Sequence, residues 1–156
     1  MNTTHNRTIY TICVLLFLSV SSCRKITSIN NADTKGITDA EKYYSALSEQ
    51  KGRNAAFLEM FDSTGVTLAT HMPPIEGYKS IRELLLSKSD SSYTLTWEPR
   101  FAKVAASGEL GYTYGTYKLI DKATKKLSEG TYTTIWLKNK QGQWKAVLDT
   151  GNEGLK

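Results

Sequence analysis

The chain has 156 residues, of which 40% are hydrophobic, and its formal net charge is +5. The basic residues are spread along the chain and match no nucleic-acid-binding motif, so we expect no nucleic-acid partner. The densest basic cluster falls around a predicted hairpin loop, which we interpret as solvated; attraction to anionic lipid or glycan is the alternative. This cluster comprises Lys118, Lys122, Lys125 and Lys126.

The N-terminus has the pattern of a targeting segment. Arg7 precedes an apolar run over residues 9–20, which is shorter than the roughly 20 residues that a membrane span needs. The run ends in Val20-Ser21-Ser22-Cys23, which resembles the lipobox of bacterial lipoproteins. We therefore predict a lipoprotein signal peptide over residues 1–22 and acylation of Cys23. An ordinary secretory signal and a membrane anchor are the alternatives.

The lipobox resemblance implies a protein of the bacterial cell envelope, held on the periplasmic side of a membrane by its N-terminal lipid. We favour the outer membrane, because Arg24 stands where some bacteria place an aspartate as an inner-membrane retention signal. Cys13 would leave with the signal peptide and Cys23 would carry lipid, so we expect no disulfide. The chain after Cys23 suits one domain whose core is held by packing alone.

The first half of the predicted domain is helical. Polar residues without an apolar period predict a flexible tether over residues 23–36. Thr38-Asp39-Ala40-Glu41 has the form of a capping box, which predicts that a first helix begins there and ends near Gln50. Apolar spacing and turn residues then predict a second helix, a turn, a short strand, a loop with two prolines, and a third helix. Their expected ranges are 53–61, 62–65, 66–69, 71–74 and 78–88.

Beyond the third helix the apolar period changes from helical to alternating, which predicts four strands joined by hairpins. Their expected ranges are 93–105, 110–120, 127–138 and 143–150. Alternation places Tyr112 and Tyr114 on one face of the sheet and Tyr117 on the other. Pro99 predicts a bulge or an edge position, and a bulge there or near Gly142 would reverse the faces.

Helices followed by an antiparallel meander predict an α+β domain. The order of elements and four segments resemble the nuclear-transport-factor-two-like, cystatin-like superfamily. Within it they resemble the family called domain of unknown function 4440, a relative of the SnoaL-like and ketosteroid-isomerase-like groups. The segments are Trp97-x-Pro99, residues 107–117 (Ser-Gly-Glu-Leu-Gly-Tyr-Thr-x-Gly-x-Tyr), Gly130-x-Tyr132-x-Thr134-x-Trp136, and Gly142-x-Trp144-Lys145-x-Val147-x-Asp149-x-Gly151-Asn152.

The resemblance covers residues 37–152 and leaves a short tail over 153–156. It implies three helices packed on a strongly bent sheet that encloses a cone-shaped cavity, with the end of the last strand near its mouth. Asp149 stands there beside two apolar residues, so burial would raise the pKa of its carboxyl and make it a general base. The alternative is a polar strand end whose carboxylate accepts backbone N–H groups, which would lower that pKa.

The aromatic residues of the meander either fill the core or line the cavity. The candidate pocket residues are Tyr44, Phe61, Trp97, Tyr112, Tyr114, Tyr132, Asp149 and Asn152. His71 would be the only histidine left after removal of the signal peptide, and no HExxH or CxxC spacing occurs. We therefore expect neither a metal site nor a cofactor.

The expected function is to bind a small, partly apolar molecule in the cavity. One alternative is an isomerase, dehydratase or cyclase that uses Asp149 as acid and base. Another is an interaction module that forms a homodimer through the open face of the sheet. A desolvated carboxylate in an apolar cavity favours the enzyme, aromatics and hydroxyls alone favour binding, and a filled cavity with an apolar outer sheet favours assembly.

Overall fold

The computed structural model describes residues 31–155, in which three helices pack on a six-stranded sheet. The helices are α1 (Asn31–Lys51), α2 (Arg53–Met60) and α3 (Tyr78–Leu86). The strands are β1 (Phe61–Leu68), β2 (Ile75–Glu76), β3 (Tyr93–Val104), β4 (Leu110–Asp121), β5 (Leu127–Lys138) and β6 (Trp144–Glu153). The predicted signal peptide and Cys23 lie outside the described residues. Within that part of the chain no helix is both long and apolar enough to cross a membrane.

The sheet has the order β2-β1-β6-β5-β4-β3, and the α+β class is confirmed. Strands β3 to β6 form the predicted antiparallel meander. Strand β1 pairs parallel to β6, which makes the sheet mixed rather than purely antiparallel. The expected helix end at Phe61 and turn over 62–65 are wrong, because β1 already begins at Phe61. A hydrogen bond typical of a turn nevertheless occurs within the strand. The Asp62 carboxylate accepts the N–H of Thr64 at 2.9 Å, at a point where the register of β1 is irregular.

Helix α1 begins at Asn31, earlier than the capping box predicts, so residues 31–36 of the expected tether are helical. Thr38 is not an N-cap, since its hydroxyl donates to the carbonyl oxygen of Thr34 one helical turn earlier. Glu41 is fully buried and does not reach back to the helix start. Gly36 lies against the indole of Trp144, and a Cβ there would be 3.2 Å from its Nε1. Tertiary contacts of this kind extend the helix beyond its local signal.

We call the face of the sheet that the helices cover the inner face and the opposite one the outer face. The predicted bulge near Pro99 exists. Pro99 pairs with Gly115 but Phe101 pairs with Tyr114, which leaves Arg100 as the extra residue. Residues on β3 therefore change faces at this point, and Phe101 lies on the outer face.

A second bulge lies in β6, at a position that the sequence did not indicate. Ile135 pairs with Leu148 but Trp136 pairs with Ala146, so Val147 is the extra residue. Without it, strict alternation from buried Ala146 would turn Asp149 to the outer face. With it, Asp149 pairs with Thr134 and lies on the inner face.

The core lies between α1 and the inner face, and Trp136 is its largest fully buried side chain. Its ring stacks on that of Tyr44 with a centroid separation of 5.9 Å. Its indole Nε1 donates to the hydroxyl of Thr113 at 2.8 Å. Trp136 therefore joins α1 to two neighbouring strands.

We expect Trp136→Ala to lower the free energy of unfolding by roughly 3–5 kcal/mol, because it removes a buried indole and leaves a cavity. Leu86→Ala is the matched control, since Leu86 is 54% exposed on α3 and its truncation should cost less than about 1 kcal/mol. Denaturant unfolding of both variants measures the difference. A loss below about 1 kcal/mol for Trp136→Ala would contradict a structural role.

Candidate functional site

A cavity of about 310 Å³ lies between α2, α3, β1 and the inner face of the meander. Most of its wall is apolar, with Phe57 and Met60 from α2, Ile81 and Leu85 from α3, and Trp97 from β3. The polar groups that line it deep inside are Tyr132, Thr134 and Asp149. The cavity therefore combines an apolar body with a small polar cluster, as ligand sites commonly do.

Asp149 supplies a carboxyl to this cluster from β6. Its Oδ2 accepts a hydrogen bond from the hydroxyl of Thr134 at 2.8 Å. Burial raises the pKa of the Asp149 carboxyl to about 6, and the hydrogen bond from Thr134 opposes this shift without cancelling it. No hydrogen bond from a backbone N–H to this carboxylate occurs among residues 31–155. The direction of the shift is the one expected of a desolvated pocket carboxylate.

Glu41 supplies a second buried carboxyl, immediately behind the cavity wall. Its Oε2 accepts from the indole Nε1 of Trp97 at 2.6 Å, and its Oε1 accepts from the hydroxyl of Thr113. No cation forms an ion pair with it in the described part of the chain. Burial raises the pKa of Glu41 to about 7, the hydrogen bonds from Thr113 and Trp97 oppose the shift, and the charge of Asp149 adds to it.

Tyr132 is the third acidic group of the cluster. The residue is 8% exposed, and its hydroxyl is the one buried side-chain polar atom of residues 31–155 that has no hydrogen-bond partner. Burial, followed by the neighbouring Glu41 carboxyl, raises the pKa of Tyr132, so the phenol keeps its proton at any physiological pH. A buried hydroxyl without a partner is uncommon in folded proteins. Tyr132 lines the cavity, and its hydroxyl lies near the Glu41 carboxyl behind the wall.

The structure brings four of the predicted pocket residues into the cavity wall: Phe61, Trp97, Tyr132 and Asp149. The other four lie elsewhere. Tyr44 is buried on α1 against Trp136, and its hydroxyl accepts a hydrogen bond from the Lys145 ammonium group at 3.2 Å. It lines a separate open groove. Asn152 is exposed and pairs with Thr131 on the outer face.

Tyr112 and Tyr114 are also outside the cavity, on the outer face, where they are 40% and 47% exposed. The predicted alternation is correct, since Tyr117 faces the other way and lines the cavity. The error lies in the choice of face, because Gly111, Thr113 and Gly115, with small side chains or none, occupy the inner positions. Large aromatics at the alternate positions resemble a core face in the sequence, although they point outwards.

Sequence reasoning missed Glu41, Tyr117 and Arg53. Glu41 carried a usable signal, because it falls one turn after Ile37 and one turn before Tyr44 and Ser45, on the buried stripe of α1. A carboxylate on such a stripe needs a buried partner. The capping-box pattern offered a local explanation for the same residue and concealed this signal.

Residues 31–155 contain no cluster of three or more His, Cys, Asp or Glu side chains that could hold a metal ion. His71 is exposed in the loop after β1, with a positive φ of 61°. The polar cluster of the cavity consists of two carboxyls, one phenol and two threonine hydroxyls. Its chemistry is therefore hydrogen bonding and proton transfer.

No protein-family model and no curated protein sequence matches the chain. Solved structures do resemble it. A ketosteroid isomerase-like protein from Erwinia carotovora atroseptica is 15% identical, with a TM-score of 0.62, and the match covers 81% of this chain and 100% of that one. A domain of unknown function with a cystatin-like fold from Nostoc punctiforme is 16% identical, with a TM-score of 0.66 and coverage of 81% and 80%.

A cystatin-fold, nuclear-transport-factor-two-like protein from Novosphingobium aromaticivorans is 14% identical, with a TM-score of 0.63 and coverage of 78% and 81%. At these identities the likeness concerns the fold alone. It confirms the cystatin-like, nuclear-transport-factor-two-like architecture that the sequence segments indicated.

The pKa of Asp149 makes stability depend on pH. A folded-state pKa of about 6 against about 3.9 in the unfolded chain means that the stabilising contribution is complete below about pH 4 and is lost as pH rises through about 6. Asn at position 149 does not ionise, so Asp149→Asn should not show this loss. Above about pH 7 its free energy of unfolding should exceed that of the wild type by roughly 2–3 kcal/mol. Urea unfolding across pH measures this, together with NMR titration of the carboxyl carbon.

Asp62→Asn is the control of opposite sign. The backbone N–H of Thr64 lowers the pKa of Asp62, so its contribution is present at neutral pH and is lost on acidification. Asp62→Asn should therefore have a lower free energy of unfolding than the wild type at neutral pH. An Asp149 carboxyl that titrates below about 3.9 would contradict the desolvated site.

Proposed function

We propose that the cavity binds a small, largely apolar molecule through one polar atom held by Tyr132 and Asp149. The observation that carries this proposal is that Tyr132 and Asp149 both line the apolar cavity, and that the buried Tyr132 hydroxyl has no hydrogen-bond partner of good geometry among residues 31–155. Leaving such a group unpaired costs about 1–3 kcal/mol, which a ligand oxygen that accepts its hydrogen recovers. At neutral pH the Asp149 carboxyl is largely ionised, so it can accept a hydrogen bond from the same atom where that atom is a hydroxyl oxygen.

The size and lining of the cavity support this proposal. A volume of about 310 Å³ lies at the small end of the range for ligand sites. The inner face is filled by Trp136 at one end and opens towards Leu95 and Leu119 at the other, which is consistent with a cone. Apolar side chains from two helices surround the body of the ligand, so burial would supply most of the affinity.

A second candidate function is acid–base chemistry on the bound molecule, favoured by the desolvated carboxylate in an apolar cavity. With a pKa of about 6, Asp149 is largely ionised at neutral pH yet accepts a proton readily. It would remove a proton from the carbon next to a ligand carbonyl, while Tyr132 donates a hydrogen bond to the enolate oxygen that receives the electron pair. Where the ligand carries a C=C bond between the carbons β and γ to the carbonyl, return of the proton to the γ carbon would move that double bond into conjugation and complete an isomerisation. One structural relative, at 15% identity, is described as ketosteroid isomerase-like, which supports this candidate through the fold only.

We expect Tyr132→Phe to weaken binding of prodan, a neutral fluorescent ketone, by about threefold to tenfold, the value of one hydrogen bond. Tyr114→Phe makes the same change on the outer face and should leave the affinity unchanged. Fluorescence titration at neutral pH measures both. Equal affinity in Tyr132→Phe and the wild type would refute the proposed polar contact.

The two candidate functions separate in one further measurement on the same complex. If Asp149 transfers protons, the wild type will exchange the protons beside the ketone of prodan with deuterium from D2O, and Asp149→Asn will not, although it still binds. Asp62→Asn should exchange like the wild type. If the wild type binds prodan without exchanging its protons, the catalytic function is refuted and the binding function is retained.

We also propose that the chain is of the domain-of-unknown-function-4440 type and is anchored in the cell envelope through Cys23. The four segments and the lipobox pattern support these two proposals respectively. Mass spectrometry of the membrane fraction should find a diacylglyceryl-modified peptide that begins at Cys23, and an intact Met1 terminus would refute the anchor.

The outer face supports a further proposal, a homodimer. Phe101 stacks on Tyr114 with a centroid separation of 5.4 Å and lies 5.9 Å from Tyr112, and all three rings are exposed. Leu110 and Leu137 extend this surface and are 44% and 37% exposed. Contiguous exposed apolar surface favours self-association. A purely monomeric species in sedimentation at micromolar concentration would refute it.

A further inference from the structure

The cavity has a cationic end as well as a polar end. Arg53, the first residue of α2, lines the wall together with Phe57 and Met60 of the same helix. These three residues follow helical spacing, so one face of α2 runs along the cavity. The Arg53 guanidinium lies over the ring of Tyr93 at 5.6 Å from its centroid, and the ring of Phe57 contacts that of Trp97 at 5.8 Å. Helix α2 and strand β3 therefore lie side by side along the cavity, with Arg53 beside Tyr93 and Phe57 beside Trp97.

The charge of Arg53 is not neutralised within the described residues. Its guanidinium donates to the side-chain oxygen of Asn54 at 2.9 and 3.2 Å, and it forms no ion pair in residues 31–155. Asp90 is the acid beside this helix end, and its carboxylate accepts the backbone N–H of Asn54 at 2.7 Å. Lys88 adds a second positive charge to the same wall. Glu153 is the one acid other than Asp149 in the cavity wall, on β6, where its charge raises the pKa of Tyr117.

The helix dipole does not favour a cation at this position. The N-terminus of a helix carries the positive end of its dipole, so arginine in the first turn is unfavourable. Arg53 nevertheless occupies the first position of α2, half-buried, with guanidinium hydrogens left over after its bonds to Asn54. An arginine held in this way is well suited to receive an anionic oxygen group.

The two ends of the cavity are separated by an apolar stretch. From Arg53 to Met60 the helix rises about 10 Å, at about 1.5 Å per residue. Along β3 the register runs from Tyr93, beside Arg53, through Leu95 and Trp97 to Pro99, and Tyr132 lies at the level of Pro99 because both pair with Gly115. A ligand that fills the cavity thus meets a guanidinium, then aromatic and aliphatic surface, then a hydroxyl and a carboxyl.

We infer that the ligand is an amphipathic anion, with an anionic oxygen group bound by Arg53 and a hydroxyl or carbonyl, beyond the apolar stretch, bound by Tyr132 and Asp149. A carboxylate on a medium-length apolar chain is the simplest molecule of this class. The inference rests on the proposed binding function and adds the charge and the length of the ligand to it. The bidentate geometry of guanidinium and carboxylate would also fix the orientation of the ligand, anionic end outwards.

The test uses ω-hydroxydecanoate and its methyl ester as competitors of prodan at neutral pH and low salt. These two probes have the same apolar chain and terminal hydroxyl and differ in one charge. We expect the wild type to bind the acid about tenfold more tightly than the ester, as one favourable charge pair in a partly desolvated site would give. Arg53→Gln should lose most of this preference, since only the exposed Lys88 then supplies positive charge to the wall. Arg82→Gln, which removes an exposed arginine of α3 outside the cavity, should keep the preference.

The outcomes separate this inference from the proposed function. Tyr132→Phe should weaken acid and ester by the same factor, because it acts at the opposite end. Equal binding of the two probes by the wild type, or a preference undiminished in Arg53→Gln, overturns the amphipathic anion. Ester binding that is weakened by Tyr132→Phe would then still support the binding function. If neither prodan nor the ester binds the wild type, both fail. Thermal unfolding of Arg53→Gln checks its fold, since loss of the contact with Tyr93 lowers stability whereas removal of a cation from the helix N-terminus raises it.

Discussion

The buried carboxyl of Glu41 is the contact on which the site depends. It accepts hydrogen bonds from Trp97 on β3 and from Thr113 on β4, and Thr113 in turn accepts from Trp136 on β5. One side chain of α1 therefore accepts hydrogen bonds from two strands and connects through Thr113 to a third. Buried donors of this kind are costly when unpaired, so the network determines where α1 lies on the sheet. That placement closes one end of the inner face and leaves the remainder as the cavity.

Much of the fold could be predicted because its signals are local. The strands predicted over 110–120 and 127–138 agree with β4 and β5 to within a residue, since alternation and turn residues are short-range patterns. The start of α1 and the first part of β1, over residues 61–65, could not be predicted in this way, whereas the strand predicted over 66–69 overlaps the end of β1. Both depend on partners distant in sequence, Trp144 for the helix and β6 for the strand. In both places tertiary contacts, and not the local sequence pattern, determine the secondary structure.

The site was less predictable than the fold because it depends on register. Asp149 faces the cavity only because the bulge at Val147 shifts the alternation of β6, and nothing in that stretch of sequence marks the extra residue. Tyr112 and Tyr114 show the same limit, since alternation grouped them correctly and gave no reason to assign the glycine face to the interior. Glycines mark the inner face of β4 because the sheet and its neighbours approach closely there: a Cβ on Gly115 would lie 2.8 Å from the ring of Tyr132. A steric reading of the glycines would have chosen the correct face.

The two carboxyls have different roles because their surroundings differ. Glu41 is fully enclosed and held by two donors, whereas Asp149 retains accessible surface towards the cavity. Burial raises the pKa of both carboxyls, to about 6 for Asp149 and about 7 for Glu41, and the charge of Asp149 adds to the shift of Glu41. Glu41 thus holds α1 on the sheet through its two donors, while Asp149 and Tyr132 line the apolar cavity from neighbouring strands.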